Sequence, residues 1–145
     1  MAAPGPDLLG APIVATTARH QEISARLLRH AQEEFDKGDL LQASEKSWGA
    51  VVHYVKSIAR QEGWPNRSHR DVGRNADRLV ALTDDPLQNE LLFKAVENLH
   101  VNFYEDTYED RPHIVEHGIE HARELIAAMS AAATRLGNGR GAGPT

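Results

Sequence analysis

Apolar residues recur every three to four positions along most of this chain, and that spacing constrains its fold more than any other feature. No segment of useful length alternates between apolar and polar residues with the period of two that a strand requires. A period near 3.6 gathers apolar side chains on one face of an α-helix, which must then be buried against another helix. The sequence therefore predicts an all-α protein.

Capping signals divide this pattern into five predicted helices. Gly38 and Gly63 suit left-handed helix ends, whereas Asp39, Ser68 and Asp85 suit N-caps. The helices are expected at about Arg19 to Asp36, from Asp39 to about Glu62, after Ser68, from Pro86 to near Glu105, and from Pro112 to about Leu136. Short connections favour antiparallel neighbours, so we expect an up-and-down bundle of four long helices and one short helix. This bundle fills residues 19–136, between flexible tails at 1–18 and 137–145.

The apolar residues of the last two helices define their expected packing faces. The fourth helix carries Leu87, Leu91, Leu92, Ala95, Leu99 and Phe103, and the fifth carries Val115, Ile119, Ala122, Ile126 and Met129. A chain of 145 residues with this pattern suffices for one domain with its own core.

Composition excludes several classes of function. The chain has no cysteine, so disulfides, thiolate zinc sites and thiol catalysis are excluded. Its net charge of −5 argues against broad attraction to nucleic acid, although a local basic patch is compatible with it. We find no apolar run of membrane-spanning length, no signal-peptide pattern and no Gly-rich phosphate loop. We therefore expect a cytoplasmic protein without a membrane anchor or a cofactor.

The segment Leu99 to Tyr104 is the strongest candidate for a functional site. His100 and Tyr104 lie one helical turn apart, and Asn102 lies between them in the sequence. An imidazole beside a phenol can move protons or bind an anion. The alternative is a histidine held by a neighbouring carboxylate or carbonyl, with a tyrosine that only packs.

Three histidines recur every four residues on the fifth helix, at His113, His117 and His121. Imidazoles at this spacing can bind a metal ion. They lie on the side opposite the apolar face, together with glutamates, and a solvated charged face explains them equally well.

Several short segments, in their order along the chain, resemble the HEPN superfamily of small helical bundles. The second helix reads Ala43 to Ala59, and Gly63-Trp64 follows it. Next come Ser68-His69-Arg70-Asp71-Val72 and, at the end of the fourth helix, Leu99-His100-Val101-Asn102-Phe103-Tyr104. The resemblance extends over about Arg19 to Met129.

The HEPN resemblance implies a two-fold homodimer and, in active members, a metal-independent RNase, often the toxin of a toxin–antitoxin pair. His100 matches the family's catalytic histidine and Tyr104 a nearby aromatic residue, whereas Lys94 falls where the family has arginine. Lysine keeps the charge but lacks the planar fork that grips a phosphate. In a family-like arrangement, Lys56 and His69 face a ligand groove.

We therefore expect a dimeric module that binds a partner protein, a nucleotide or RNA without efficient catalysis, with Asn102, Lys56 and His69 as ligand-binding residues. One alternative is a toxin-type RNase with an antitoxin-like partner, in which His100, Lys94 and Tyr104 form the catalytic site. The other is a metal-binding surface formed by His113, His117 and His121.

Overall fold

The computed structural model describes residues 11–141, with side chains described for residues 17–137. Within that range the chain forms five helices and no strand, which confirms the all-α prediction. The helices are α1 (Ala11–Asp36), α2 (Leu40–Glu62), α3 (His69–Ala81), α4 (Pro86–Glu105) and α5 (Pro112–Gly141). Among these described residues, no helix combines the length and apolar composition of a bilayer-crossing segment.

The predicted caps of α2, α3 and α4 are confirmed. Asp39 and Asp85 each accept a hydrogen bond from the backbone three residues on. Ser68 and Asp71 form a capping box, in which Ser68 accepts from the Asp71 N–H while the Asp71 carboxylate accepts from the Ser68 N–H. Gly38 and Gly63 both adopt positive φ, at 86° and 74°, where glycine is strain-free. Local chemistry alone therefore sets these ends.

Two helix ends differ from the prediction. The first helix begins at Ala11 rather than near Arg19, so residues 11–18 are helical and not part of a tail. Pro12 suits a first helical turn, and neither glycine nor proline interrupts the chain between it and Arg19. The fifth helix continues to Gly141 rather than ending near Leu136, since a glycine in a helix costs only about 1 kcal/mol. The other tail residues, 1–10 and 142–145, lie outside the described residues.

Contacts between helices show the antiparallel order of the bundle. Between α1 and α2, residue numbers rise along one helix as those of their partners fall along the other. The same holds between α2 and α4. The pairs are His20 with His53, Ser24 with Ala50, Glu45 with His100, and Ser44 with Asn102. Helices α2 and α5 each contact all four other helices, so these two lie at the centre of the bundle.

The core consists of two neighbouring clusters. The larger lies between α2, α3, α4 and α5 and includes Val55, Ile58, Leu79, Val96 and Leu125, all 0–1% exposed. The smaller contains Ala31, Ala43, Leu99, Val115 and Ile119.

At Gly118 the helices α4 and α5 approach closely. A Cβ there would lie 2.5 Å from a methyl carbon of Leu99, so only glycine permits this approach without displacement.

The apolar residues of α4 do not all face this core. Leu92 and Leu99 are buried, but Leu87 and Leu91 are 71% and 59% exposed. The helix thus presents apolar residues on two sides, whereas a single buried stripe is typical of a bundle helix.

Candidate functional site

A groove lies where α2 faces the start of α3 and the middle of α4. One cavity of about 220 Å³ is lined by Trp48, Val52, Lys56, Arg67, Ser68, His69 and Val72. A second cavity of about 260 Å³ is lined by Trp48, His69, Val72, Gly73, Phe93, Glu97 and His100. The two share Trp48, His69 and Val72, so they form one depression, which we call the Trp48 groove.

One end of the Trp48 groove is basic. Lys56 comes from α2, Arg67 from the connection after Gly63, and His69 from the first position of α3. The capping box fixes the start of α3 and therefore the position of His69 beside the groove. An ammonium, a guanidinium and an imidazole that line one cavity suit an anionic ligand.

His100 lies at the opposite end and is oriented by three neighbours. Its ring stacks on Trp48 with centroids 5.5 Å apart, and it meets Tyr104 edge-on at 5.4 Å. Its Nδ1 lies 2.9 Å from Glu45 Oε1. A carboxylate only accepts hydrogen bonds, so Nδ1 carries a proton, and Nε2 is an acceptor whenever the ring is neutral. The expected imidazole–phenol pair is thus present, although Tyr104 is 71% exposed and does not line the groove.

Asn102 and Lys94 do not reach the Trp48 groove. Asn102 is buried, and its amide donates to Ser44 Oγ and accepts from the Tyr108 N–H. Lys94 is exposed on α4 and forms an ion pair with Glu97 at 3.7 Å. Of the six residues predicted for catalysis or ligand binding, the structure brings Lys56, His69 and His100 together and places the other three outside the groove.

The three histidines of α5 do not converge on one point. His113 and His117 meet edge-on with ring centroids 6.1 Å apart, and both are exposed. His121 is half-buried, and its Nδ1 has no hydrogen-bond partner. Over residues 11–141, no group of three or more histidines, aspartates or glutamates is arranged to hold a metal ion. His117 and His121 nevertheless line one cavity of about 190 Å³, so metal binding by a histidine pair stays a prediction.

A second histidine pair joins α1 to α2. The Nδ1 atoms of His20 and His53 lie 3.1 Å apart, so one ring donates and the other accepts. Burial lowers the pKa of both imidazoles, and Lys56 lowers them further, with Arg60 also acting on His20. Both rings are thus biased toward the neutral form, which the ring that accepts this hydrogen bond must have.

The model of the Archaeal PaREP1/PaREP8 family matches residues 19–126 of the chain. The chain belongs to the PaREP1/PaREP8 family. Neither a curated protein nor a solved structure matches it significantly.

The PaREP1/PaREP8 match includes every residue that lines the Trp48 groove. Trp48, Arg67 and Glu97 line the groove but are not among the site residues predicted from the sequence. The sequence allowed for a carboxylate partner of His100 but did not identify it as Glu45, and it did not predict the His20–His53 pair. The signal available was weak, because these partners lie 33 to 55 positions apart in the chain.

Proposed function

We propose that this PaREP1/PaREP8 protein is an HEPN-like helical module that binds a phosphate-bearing ligand, a nucleotide or RNA, in the Trp48 groove. The observation that carries this proposal is that Lys56, Arg67 and His69, from three separate segments, line one cavity.

This cavity suits a phosphate better than a single charged side chain on an open surface would. Trp48 and Val72 form apolar walls beside the three basic groups, and they keep water from part of the ligand. Charges act more strongly where water is displaced. Arg67 adds a planar fork that fits two phosphate oxygens, which a lysine does not provide. A local site of this kind is compatible with a net charge of −5, because an anion at close range responds mainly to its nearest neighbours.

Calorimetric titration with nucleoside monophosphates and with short single-stranded RNA tests this function. Lys56→Ala and Arg67→Ala should each weaken binding roughly tenfold, since hydrogen bonds to charged groups contribute about 1.5–3 kcal/mol. Lys37→Ala is the matched control, because Lys37 is exposed and pairs with Glu34 outside the groove. Wild-type binding that none of these changes affects, or no binding at millimolar ligand, would contradict the proposal.

We also propose that the module is a homodimer formed through α4. Leu87, Leu91, Val101 and Tyr104 are 50–71% exposed and are spaced almost symmetrically about Val96. Two antiparallel copies of α4 would therefore place Leu87 opposite the partner's Tyr104 and Leu91 opposite the partner's Val101. A self-complementary surface is what a two-fold interface requires.

Light scattering and sedimentation test this interface. Leu91→Glu should convert the dimer to a monomer while the helix content is kept, because Leu91 makes little contact with its own core. Leu82→Glu changes an exposed leucine outside α4 and should leave the dimer intact. A wild-type monomer at high concentration, or a Leu91→Glu dimer, would contradict the α4 interface.

The His100–Glu45 contact supports a second candidate function, a metal-independent RNase. Glu45 holds Nδ1, so Nε2 can act as a base. The test is cleavage of RNA by chelator-treated protein, lost in His100→Gln. Binding without cleavage would support the module instead.

A further inference from the structure

The two ends of the Trp48 groove carry opposite charge. Lys56 and Arg67 line the first cavity, whereas Glu97 on α4 lines the second. The apolar side chains of Trp48 and Val72 line both cavities, and Phe93 adds an apolar surface to the second. A ligand that fills this groove must offer an anion at one end, a flat apolar middle, and hydrogen-bond donors at the other end.

Glu97 is the carboxylate at the acidic end that remains able to accept from a ligand. Glu45, near the same end, is already bonded to His100 Nδ1. Among the described side chains, Glu97 forms its ion pair with Lys94, at 3.7 Å, and the two side chains are 45% and 64% exposed. Such an exposed pair contributes little, about 0–1 kcal/mol, so a ligand donor can displace it.

Gly73 provides room for a planar group beside Glu97. It lines the same cavity, and a Cβ built on it would meet no atom within 4 Å. The space over this part of α3 is therefore empty, with Val72 and Phe93 lining the cavity around it. A nucleobase lying there would contact apolar side chains and present its polar edge to α4.

We propose that the Trp48 groove recognises a nucleotide whose base carries an exocyclic amino group, with Glu97 as the acceptor of that group. This inference rests on the proposed phosphate site, because the phosphate at Lys56 and Arg67 sets the position of the base. Carboxylates accept from the amino group of cytosine, whereas uracil offers a carbonyl oxygen at the same position. The carboxylate therefore attracts cytosine and repels uracil, although the two bases have nearly the same size.

Calorimetric titration of the full chain with CMP, UMP and ribose 5-phosphate tests this inference. We expect CMP to bind at least roughly tenfold more tightly than UMP, as a matched carboxylate–amino contact discriminates between bases to this extent. Glu97→Gln should reduce the difference to about twofold or less, because an amide both donates and accepts. Glu90→Gln changes an exposed glutamate of α4 that does not line the groove, and should preserve the preference.

The outcomes separate the base site from the phosphate site. Equal binding of CMP and UMP, with both weakened by Lys56→Ala, overturns the role of Glu97 and leaves the phosphate site standing. A CMP preference that persists in Glu97→Gln also overturns it. No binding of any of the three ligands overturns both proposals together.

Discussion

At the scale of single residues, Asn102 shows how one buried amide connects three segments. Its side chain is 1% exposed, donates to Ser44 Oγ at 3.0 Å and accepts from the Tyr108 N–H at 2.8 Å. The backbone carbonyl of Asn102 accepts from the Asp106 N–H, and at Asp106 the chain turns with a φ of 51°. The residue thus fixes the end of α4 against α2 and against the following loop. A side chain whose partners are all internal is structural.

Asn102→Ala should lower the free energy of unfolding by about 2 kcal/mol, because the Tyr108 N–H and the Ser44 hydroxyl lose their partner in a buried place. Urea denaturation followed by circular dichroism measures this. Asn98→Ala, at an exposed position one turn earlier on α4, should change the stability by about 0.5 kcal/mol or less. Equal effects of the two changes would show that the Asn102 bonds contribute nothing.

At the scale of elements, the α1–α2 pair contains a contact that depends on pH. The His20–His53 hydrogen bond needs at least one neutral ring, and the side chains of Lys56 and Arg60 add positive charge nearby. Since burial lowers the pKa of both imidazoles below 6.5, the unfolded chain binds more protons than the folded chain just below that pH. Acid therefore weakens the packing of α1 on α2.

The contribution of the His20–His53 pair to the free energy of unfolding should be constant above about pH 7. It should fall as the pH drops through 6.5. The double change His20→Gln and His53→Gln should reduce the slope between pH 7.5 and 5, since glutamine keeps hydrogen bonding without titrating. Denaturant midpoints measured across this range, wild type against variant, check the prediction. Parallel pH profiles of the two proteins would contradict it.

At the scale of the whole molecule, the two core clusters share helices. Both draw residues from α2, α4 and α5, so neither can lose its packing without exposing part of the other. The larger cluster contains Trp48 and packs against Trp64, whereas the smaller contains no tryptophan among its described members. Fluorescence therefore follows one cluster and far-ultraviolet circular dichroism follows all helices.

Because the clusters share their helices, unfolding should be a single cooperative transition. Denaturant midpoints from tryptophan fluorescence and from circular dichroism should coincide. A lower midpoint by circular dichroism would instead mean that the end of the bundle around Leu99 and Ile119 opens on its own. The Leu91→Glu variant, which the proposed α4 interface predicts to be monomeric, is the control that separates dissociation from partial unfolding.

The number, type and most ends of the helices could be predicted from the sequence. The reason is that caps and periodicity act over three or four residues, and Asp39, Ser68 and Asp85 carry their signals within that distance. The outward position of Leu87 and Leu91 could not be predicted, because a helix with apolar residues on two sides does not reveal which side faces the core. The burial of Asn102, a polar residue, could not be predicted from the sequence for the same reason.

The sequence by itself determined that this chain forms five amphipathic helices, since hydrogen bonds and apolar spacing within each segment decide it. The tertiary structure alone decided which side chains meet in the Trp48 groove. Lys56, Arg67 and Glu97 are separated by 11 to 41 positions, and nothing local relates them. Only the packing of α3 and α4 against α2 brings them to one depression, because the crossing of helices, and not the order of residues, sets distances between segments.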